Sequence, residues 1–221
     1  MSQSSIRHSS QCLVRHLGLQ DYEAIWQDMQ ALTGERTAET SDEIWLLQHP
    51  PVYTLGLNGK RKHLLKQNAI PVIPVDRGGQ VTYHGPGQLI AYLMCDLSRL
   101  GMGVSEFVQH IEQSVIDLLS EFDIKAERRK GAPGVYVDQK KIAALGLRIK
   151  KNCSYHGLSL NVDMDLRPFE AINPCGEEGL QITQLKDLGI HMDLDTAAAQ
   201  LLKHLQANLG YNYIKQIKDK R

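Results

Sequence analysis

Gly134-Val135-Tyr136-Val137-Asp138-Gln139-Lys140-Lys141-Ile142-Ala143-Ala144-Leu145-Gly146-Leu147-Arg148-Ile149 is the stretch on which the fold turns. Two runs, Gly134 to Val137 and Lys141 to Ile149, flank Asp138-Gln139, and that pattern predicts an antiparallel hairpin. Alternation puts Lys141, Ala143, Leu145, Leu147 and Ile149 on one face of the longer run. Lys140, Ile142, Ala144, Gly146 and Arg148 take the other. Lys141 thus shares the more apolar face, where a lysine is partly desolvated unless paired and becomes a candidate proton acceptor. From alternation alone, a lysine snorkelling from a strand end has the better claim.

Working outward, Tyr22, Ile25, Trp26, Met29 and Leu32 recur at helical spacing between Asp21 and Thr33. Glu43 to Gln48 and Val52 to Leu55 read as short strands around the His49-Pro50-Pro51 break. Pro71 to Val75 reads as extended, because a residue before proline avoids the helical region. Leu89 to Leu97 is an apolar strand and Leu158 to Val162 another. Val104, Val108, Ile111, Val115, Leu118, Leu119 and Phe122 make the clearest helical stripe. A last helix from about Thr196 to Leu209 stops at Gly210, and the polar tail from Lys215 to Arg221 is expected to fray. Strands and helices alternate around an antiparallel hairpin, so the expected fold class is α/β with a mixed sheet. No repeat, low-complexity tract or linker interrupts residues 1–221, which are expected to form one domain.

The composition excludes several classes. Of 221 residues, 42% are hydrophobic, enough for a core and far from a disordered chain. Lys plus Arg equals Asp plus Glu at 25 each, so the net charge is zero. A general nucleic-acid binder needs a basic excess. No run approaches a membrane span, and Met1 to Gln11 lacks the apolar core of a signal peptide. The four cysteines, Cys12, Cys95, Cys153 and Cys175, form no Cys-x-x-Cys pair, so neither a zinc ribbon nor a redox pair is expected. That usage fits free thiols in a reducing cytoplasm.

Arg77-Gly78-Gly79-Gln80-Val81-Thr82-Tyr83-His84-Gly85-Pro86-Gly87-Gln88 packs four glycines into twelve residues. Glycine belongs where φ is positive or where a ligand approaches the backbone. The spacing is neither that of a P-loop nor the dinucleotide Gly-x-Gly-x-x-Gly. Two glycine elements flanking a short Gln80–Tyr83 strand would leave a shallow trough of exposed amides. The plainer reading is two tight turns with His84 packed or capping. The clustered Arg77, Tyr83 and His84 favour a site.

A thiol attacks only when ionised, and an ordinary cysteine of pKa about 8.5 is a few per cent thiolate at neutral pH. Cys95 lies in an apolar strand and Cys12 precedes Leu13-Val14, so both read as buried and inert. Cys153 follows Lys150-Lys151 and precedes His156 by three residues, which makes it a rival nucleophile unless that segment is a solvated turn. Cys175 stands between Pro174 and Gly176, in a stretch too broken for regular structure, and loops carry catalytic groups disproportionately. Its neighbours Glu177 and Glu178 would oppose ionisation, so a reactive Cys175 needs a cation from elsewhere in the fold. Lys141 is one source, and His84 is the alternative base through Cys-His pairing.

Taken together, these segments resemble the lipoyl(octanoyl) transferase family. Four stretches match in order: Arg77 to Gln88, Gly131 to Val137, Lys141 to Ile149, and His156 to Val162 (His156-Gly157-Leu158-Ser159-Leu160-Asn161-Val162), with Asn173-Pro174-Cys175-Gly176 after them. The resemblance spans about residues 43 to 190, and the joint occurrence is highly specific. Two departures are Ser159, where alanine is common, and Glu177, where an apolar residue is frequent.

What the resemblance implies is a biotin/lipoate protein ligase-like catalytic domain that moves an octanoyl group from acyl-carrier protein to a lysine of lipoyl domains, without a cofactor. Those lipoyl domains are the ones of 2-oxoacid dehydrogenase complexes and the glycine cleavage H protein. Cys175 matches the acyl-thioester nucleophile and Lys141 the lysine that activates it. Arg77, Gly78, Gly79, Gln80, Val81, Thr82, Tyr83, His84, Ala144, Leu145, Gly146, Gly157, Leu158 and Ser159 match the acyl and substrate site. Backbone amides of the glycine-rich loops are the expected oxyanion donors. Arg128-Arg129-Lys130 and Arg148 to Lys151 are the basic clusters that would meet an acidic carrier. Three alternatives stay open: an ATP-dependent ligase of similar fold, a lipoyl-domain-binding module without catalysis, and a Cys-His hydrolase.

Overall fold

The structure is a computed structural model and describes residues 11–217. The N-terminal stretch up to Ser10 and residues 218–221 of the tail lie outside the described residues. In chain order the elements are β1 (Gln11–Leu19), α1 (Tyr22–Glu35), β2 (Asp42–Gln48), β3 (Val52–Leu55), β4 (Val72–Pro74), β5 (Val81–His84) and β6 (Gln88–Met94). There follow α2 (Leu97–Leu100), α3 (Val104–Ser120), β7 (Glu127–Arg128), β8 (Gly134–Val137), β9 (Lys140–Lys150), β10 (Cys153–Asn161), α4 (Leu194–Leu209) and β11 (Tyr213–Ile217). The main sheet runs β11-β1-β2-β6-β10-β9-β8-β7, and β4-β3-β5 form a second, smaller sheet. β11, β1 and β2 are parallel, whereas every neighbouring pair from β2 outward to β7 is antiparallel. The sheet is mixed, as the sequence pattern predicts.

Each face of the main sheet is covered by the helical stripe that fits it. Phe107, Ile111, Val115, Leu118 and Leu119 of α3, with Leu201 and Leu205 of α4, pack on Leu89, Ala91, Leu93, Leu158 and Leu160. Ile25 and Met29 of α1 close the opposite face over Trp45, Tyr92, Met94 and Tyr155. Each such buried side chain contributes about 1.5–3 kcal/mol. Asp21 caps α1 by accepting from the Glu23 and Ala24 amides, and Gly210 ends α4 in the left-handed region.

Four expectations shift. β6 ends at Met94, because the Asp96 side chain accepts from the Ser98 and Arg99 amides and starts α2 at Leu97. β10 begins at Cys153, five residues before Leu158, since residues 153–157 pair with β9 despite their polar side chains. β1 and the tail strand β11 go unread in the sequence. β11 takes in Lys215 to Ile217, pairing with β1, so the tail is ordered further than expected. The hairpin turns at Asp138 and Gln139, both with positive φ. It is interrupted by a bulge: Val135 opposes Ala143 but Tyr136 opposes Lys141, which leaves Ile142 extra. Strict alternation therefore fails there, and Lys141, Ile142 and Ala143 are all buried in succession.

Candidate active site

Cys175 lies in one turn of 3₁₀ helix, Pro174–Gly176, with φ 58 and ψ 12. For a residue bearing a Cβ the left-handed region costs on the order of 1–3 kcal/mol, so the surrounding structure must impose it. The turn is fastened from several sides. The Asn173 amide donates to the His63 carbonyl at 2.8 Å and the Gly176 amide to Asn173 at 2.9 Å. A Cβ on Gly176 would stand 2.8 Å from Cγ of Gln80, so the glycine lets the turn close on that side chain. Further along, the Lys141 amide donates to the Gln181 carbonyl at 2.9 Å, and the Thr183 amide donates to the Lys141 carbonyl at 3.0 Å. The segment following the cysteine is thereby laid against the bulge of β9.

The result is direct contact. Lys141, 2% exposed, extends its ammonium to Cys175 Sγ at 3.1 Å and to the Pro133 carbonyl at 3.1 Å. Burial alone pulls Lys141 downward, but the Cys175 sulfur and the Tyr136 side chain outweigh it, and the net shift is upward. The Lys141 Nζ lies 5.0 Å from the centre of the Tyr136 ring, against which Arg129 also packs at 4.1 Å. Gly134, at φ +141, leaves room for the lysine: a Cβ there would be 2.9 Å from Lys141 Cε. Arg129 also reaches Glu177 at 3.5 Å, which offsets the carboxylate beside the thiol.

Lys141 and Cys175 open onto a cleft of 370 Å³ walled by Arg77 to Val81, Gly131 to Pro133, Leu145 to Leu147, and Val104 and Val108 of α3. Behind it lies a chamber of 40 Å³, lined among others by Thr82, His84, Ala144, Gly157, Leu158 and Ser159. Arg77, Leu145 and Gly146 border both spaces. All but one of the sequence-predicted site residues therefore face one space or the other. The exception is Tyr83, which packs between Tyr53 and Phe169, at ring distances of 5.5 and 5.4 Å.

Two expectations about chemistry change, and the basic cluster gains partners within the chain. His84 does not meet the thiol: its Nδ1 pairs with Gln88 at 2.8 Å, and burial drives its pKa down to about 3. The trough of free amides is partly closed, because Gly78 donates to Leu147 at 2.9 Å and Gly87 to the Gln48 side chain at 2.9 Å. Gly87 serves packing, since a Cβ would fall 1.9 Å from the Asp163 carbonyl. Arg128 and Arg129 are engaged within the chain, Arg128 with Glu112 at 3.2 Å.

The other cysteines are buried. Burial pushes Cys12 and Cys153 upward and Cys95 up to about 12. Cys153 opens β10 and is 8% exposed, and among the described residues it touches no lysine side chain as Cys175 does. The sequence reading missed Asp76 and His156, which pair at 3.0 Å beside the chamber, and the packing role of Val104 and Val108 at the cleft wall. The signal was present in the motif His156-Gly157 and in the Asp immediately before Arg77. Among the described residues no group of three or more His, Cys, Asp or Glu is placed to hold a metal ion, and no helix is long and apolar enough to cross a membrane.

Comparison with known proteins agrees with this geometry. Residues 21–206 match the lipoyl protein ligase A/B catalytic domain. An octanoyltransferase of Dechloromonas aromatica is 60% identical over 197 residues, 89% of this chain and 96% of its own. The bipartite lipoate protein ligase of Thermoplasma acidophilum, in a study with its E2 lipoyl domain, superimposes with a TM-score of 0.74 at 15% identity, covering 96% of this chain and 87% of that one. A lipoate-protein ligase A bound with ATP gives 0.72 at 14% identity, over 96% and 89% of the two chains. At such identities the structural matches establish the fold alone. The family model and the sequence relative go further: the chain is a member of the lipoyl protein ligase A/B catalytic-domain family, falls with its octanoyltransferases, and is an acyltransferase.

Proposed function

We propose that the protein transfers an octanoyl group from acyl-carrier protein to a lysine of lipoyl domains through a thioester on Cys175. The observation that carries this is the 3.1 Å contact between Lys141 Nζ and Cys175 Sγ at the head of an apolar-walled cleft. Lys141 takes up the thiol proton, and the sulfur attacks the carrier thioester. The new S–C bond forms as the carrier's S–C bond breaks, and Lys141 returns the proton to the departing thiolate. The acyl group stays a thioester throughout, so activation is retained and ATP is unnecessary. A lipoyl-domain lysine amine then attacks, the C–N bond forms, the Cys175 S–C bond breaks, and the amine proton restores the thiol.

The acyl chain lies against Val104, Val108, Leu145 and Leu147. At about 0.8 kcal/mol per methylene, an eight-carbon tail contributes roughly 5 kcal/mol of binding. Arg77, Gly78, Gly79, Gln80 and Val81 shape the mouth, and Gly157, Leu158 and Ser159 with Ala144 and Gly146 shape the far end. A nucleophilic thiol needs a reducing compartment, and we read the enzyme as cytoplasmic. The acceptors we expect are lipoyl domains of 2-oxoacid dehydrogenase complexes and the glycine cleavage H protein.

The test is intact and peptide mass spectrometry after mixing with octanoyl-carrier protein. The expected product is an octanoyl adduct on the Cys175 peptide, discharged by a lipoyl domain without ATP. An adduct on Cys153, or none, overturns the site. Transfer that requires ATP, or that survives Cys175→Ser undiminished, identifies a ligase instead, and release of free octanoate identifies a hydrolase.

A further inference from the structure

No Asp or Glu occurs between Glu43 and Asp76, in a chain that carries 25 of them. That acid-free stretch holds Lys60-Arg61-Lys62-His63 and Lys66, whose lysine and arginine side chains are all exposed. Among the described residues none of these four cations pairs with a carboxylate. The basic cluster that follows α3 differs, because Arg128 is engaged with Glu112 at 3.2 Å and Arg129 with Glu177 at 3.5 Å. The molecule has no net charge, so the segment between β3 and β4 is a local excess of free positive charge.

That segment is fastened to the catalytic cleft along its length. At its start the Leu57 amide donates to the Arg77 carbonyl at 2.9 Å and the Asn58 amide to the Gly79 carbonyl at 3.2 Å, both on the cleft wall. Midway the Lys60 amide donates at 3.0 Å to the Gln80 side chain, the one on which the Gly176 turn closes. Further on, the Asn173 amide, two residues before Cys175, donates to the His63 carbonyl at 2.8 Å, and the Leu65 amide donates to the Ala171 carbonyl at 2.8 Å. These bonds set residues 60–66 as a ledge beside the nucleophile's turn. Leu57 and Leu65, 57% and 52% exposed, flank the charges along the chain, and Val104, 46% exposed, stands on the cleft wall. Apolar side chains within a charged rim are the composition of a protein-binding surface.

We infer that this ledge is the docking surface for the acidic body of an acyl-carrier protein, which rests on Lys60, Arg61, Lys62 and Lys66 while its thioester reaches Cys175. This deepens the acyl-thioester reading above and takes its donor from it. Donor is favoured over acceptor by reach. The side chain of an acceptor lysine spans about 6 Å, so a lipoyl domain has to close over the sulfur itself. A carrier presents its thioester on a prosthetic arm several times longer, and its body rests beside the cleft mouth, where the ledge stands. Exposed charges of this kind act mainly on the rate of encounter, and salt screens them.

The experiment measures single-turnover loading of Cys175 from octanoyl-carrier protein and, as reference, from octanoyl-pantetheine, which has no protein body. In Arg61→Glu/Lys62→Glu two attractive charges become repulsive. The carrier-to-pantetheine ratio of second-order loading rates is expected to fall about tenfold to about 100-fold at low salt, and to return within about threefold of wild type near ~0.5 M salt. Discharge of the preloaded thioester by a lipoyl domain should change by less than about threefold. Reversing two exposed charges elsewhere, Lys125→Glu/Lys215→Glu, the second on β11 at the opposite edge of the main sheet, should leave the ratio at the wild-type value. A ratio unmoved in the ledge variant, an equal fall in the distant variant, or a discharge slowed as much as loading overturns the docking surface. If octanoyl-pantetheine does not load Cys175 at all, the thioester reading fails instead. Fluorescence anisotropy of labelled carrier protein then decides this one: a Kd raised about tenfold in the ledge variant supports it, and an equal Kd overturns it.

Discussion

Replacing Lys141 by methionine keeps the length and apolar stem of a side chain that is 2% exposed, and removes only its charge and hydrogen bonds. The bond lost to Cys175, 3.1 Å from nitrogen to sulfur, involves a charged donor, a class contributing about 1.5–3 kcal/mol. At 1.36 kcal/mol per decade this predicts alkylation of Cys175 by iodoacetamide at pH 7 slowed about tenfold to about 150-fold, with octanoyl loading slowed in parallel. Stability should behave differently. The Pro133 carbonyl loses its 3.1 Å donor, but a buried ammonium disappears as well, and such exchanges are often neutral. The thermal midpoint of Lys141→Met is therefore expected to stay near the wild type at pH 7. In the wild type the lysine's affinity for its proton is raised by folding, so its contribution is complete below its ordinary value of 10.5 and fades as pH climbs through the higher folded value. The variant lacks that alkaline step. An alkylation rate within twofold of wild type would refute the pairing, and a midpoint collapse matching the rate loss would recast Lys141 as structural.

Gly134→Ala places a Cβ 2.6 Å from the Ala143 carbonyl and 2.9 Å from Lys141 Cε at φ +141, so we expect a loss of about 1–3 kcal/mol in urea unfolding together with slowed loading. Arg129→Gln frees Glu177 beside the thiol; a partly exposed pair is worth about 0.2–1 kcal/mol, which predicts alkylation slowed at most about fivefold and restored by adding Glu177→Gln. His49 and His84 are buried, with pKa values lowered to about 4 and about 3, so the unfolded chain takes up protons that the folded one refuses. Stability should therefore fall as pH drops from 6.5 towards 4, and His84→Gln should flatten that slope in urea titrations at stepped pH.

Much of this was legible in the sequence where local chemistry and periodicity agreed. The hairpin, the α1 and α3 stripes and the mixed sheet follow from residue spacing, and Cys175 stood out by elimination. β1 and β11 escaped because their alternation is diluted by polar residues, Gln11 and Arg15 in one and Lys215 and Gln216 in the other, and only partner strands make them pay off in burial. β10 was cut short for a similar reason: Ser154 and His156 look like loop residues until Leu93 and Asp76 supply their partners. Alternation put Lys141 on an inward face, and the lysine is buried, but the reason was incomplete. No local rule places a bulge at Ile142, which leaves Lys141, Ile142 and Ala143 buried in succession.

Three local irregularities converge on one contact. Ile142 breaks the ladder of β8 and β9, Gly134 gives up its Cβ beside the Lys141 stem, and Cys175 sits in a left-handed turn. Each is unfavourable taken alone, and none improves the core. Irregularities occur elsewhere too, a bulge of β1 against β2 between His16 and Gly18 and positive φ at Asp123, Lys151 and Asn152, whereas α3 and α4 are regular and β6 pairs with β2 and β10 without a break. What sets these three apart is that each bears on the 3.1 Å between Lys141 Nζ and Cys175 Sγ, by shifting the lysine's register, by giving its stem room, and by turning the sulfur towards it. Strain brought to bear on a single pair of atoms is what the proposed reacting pair requires.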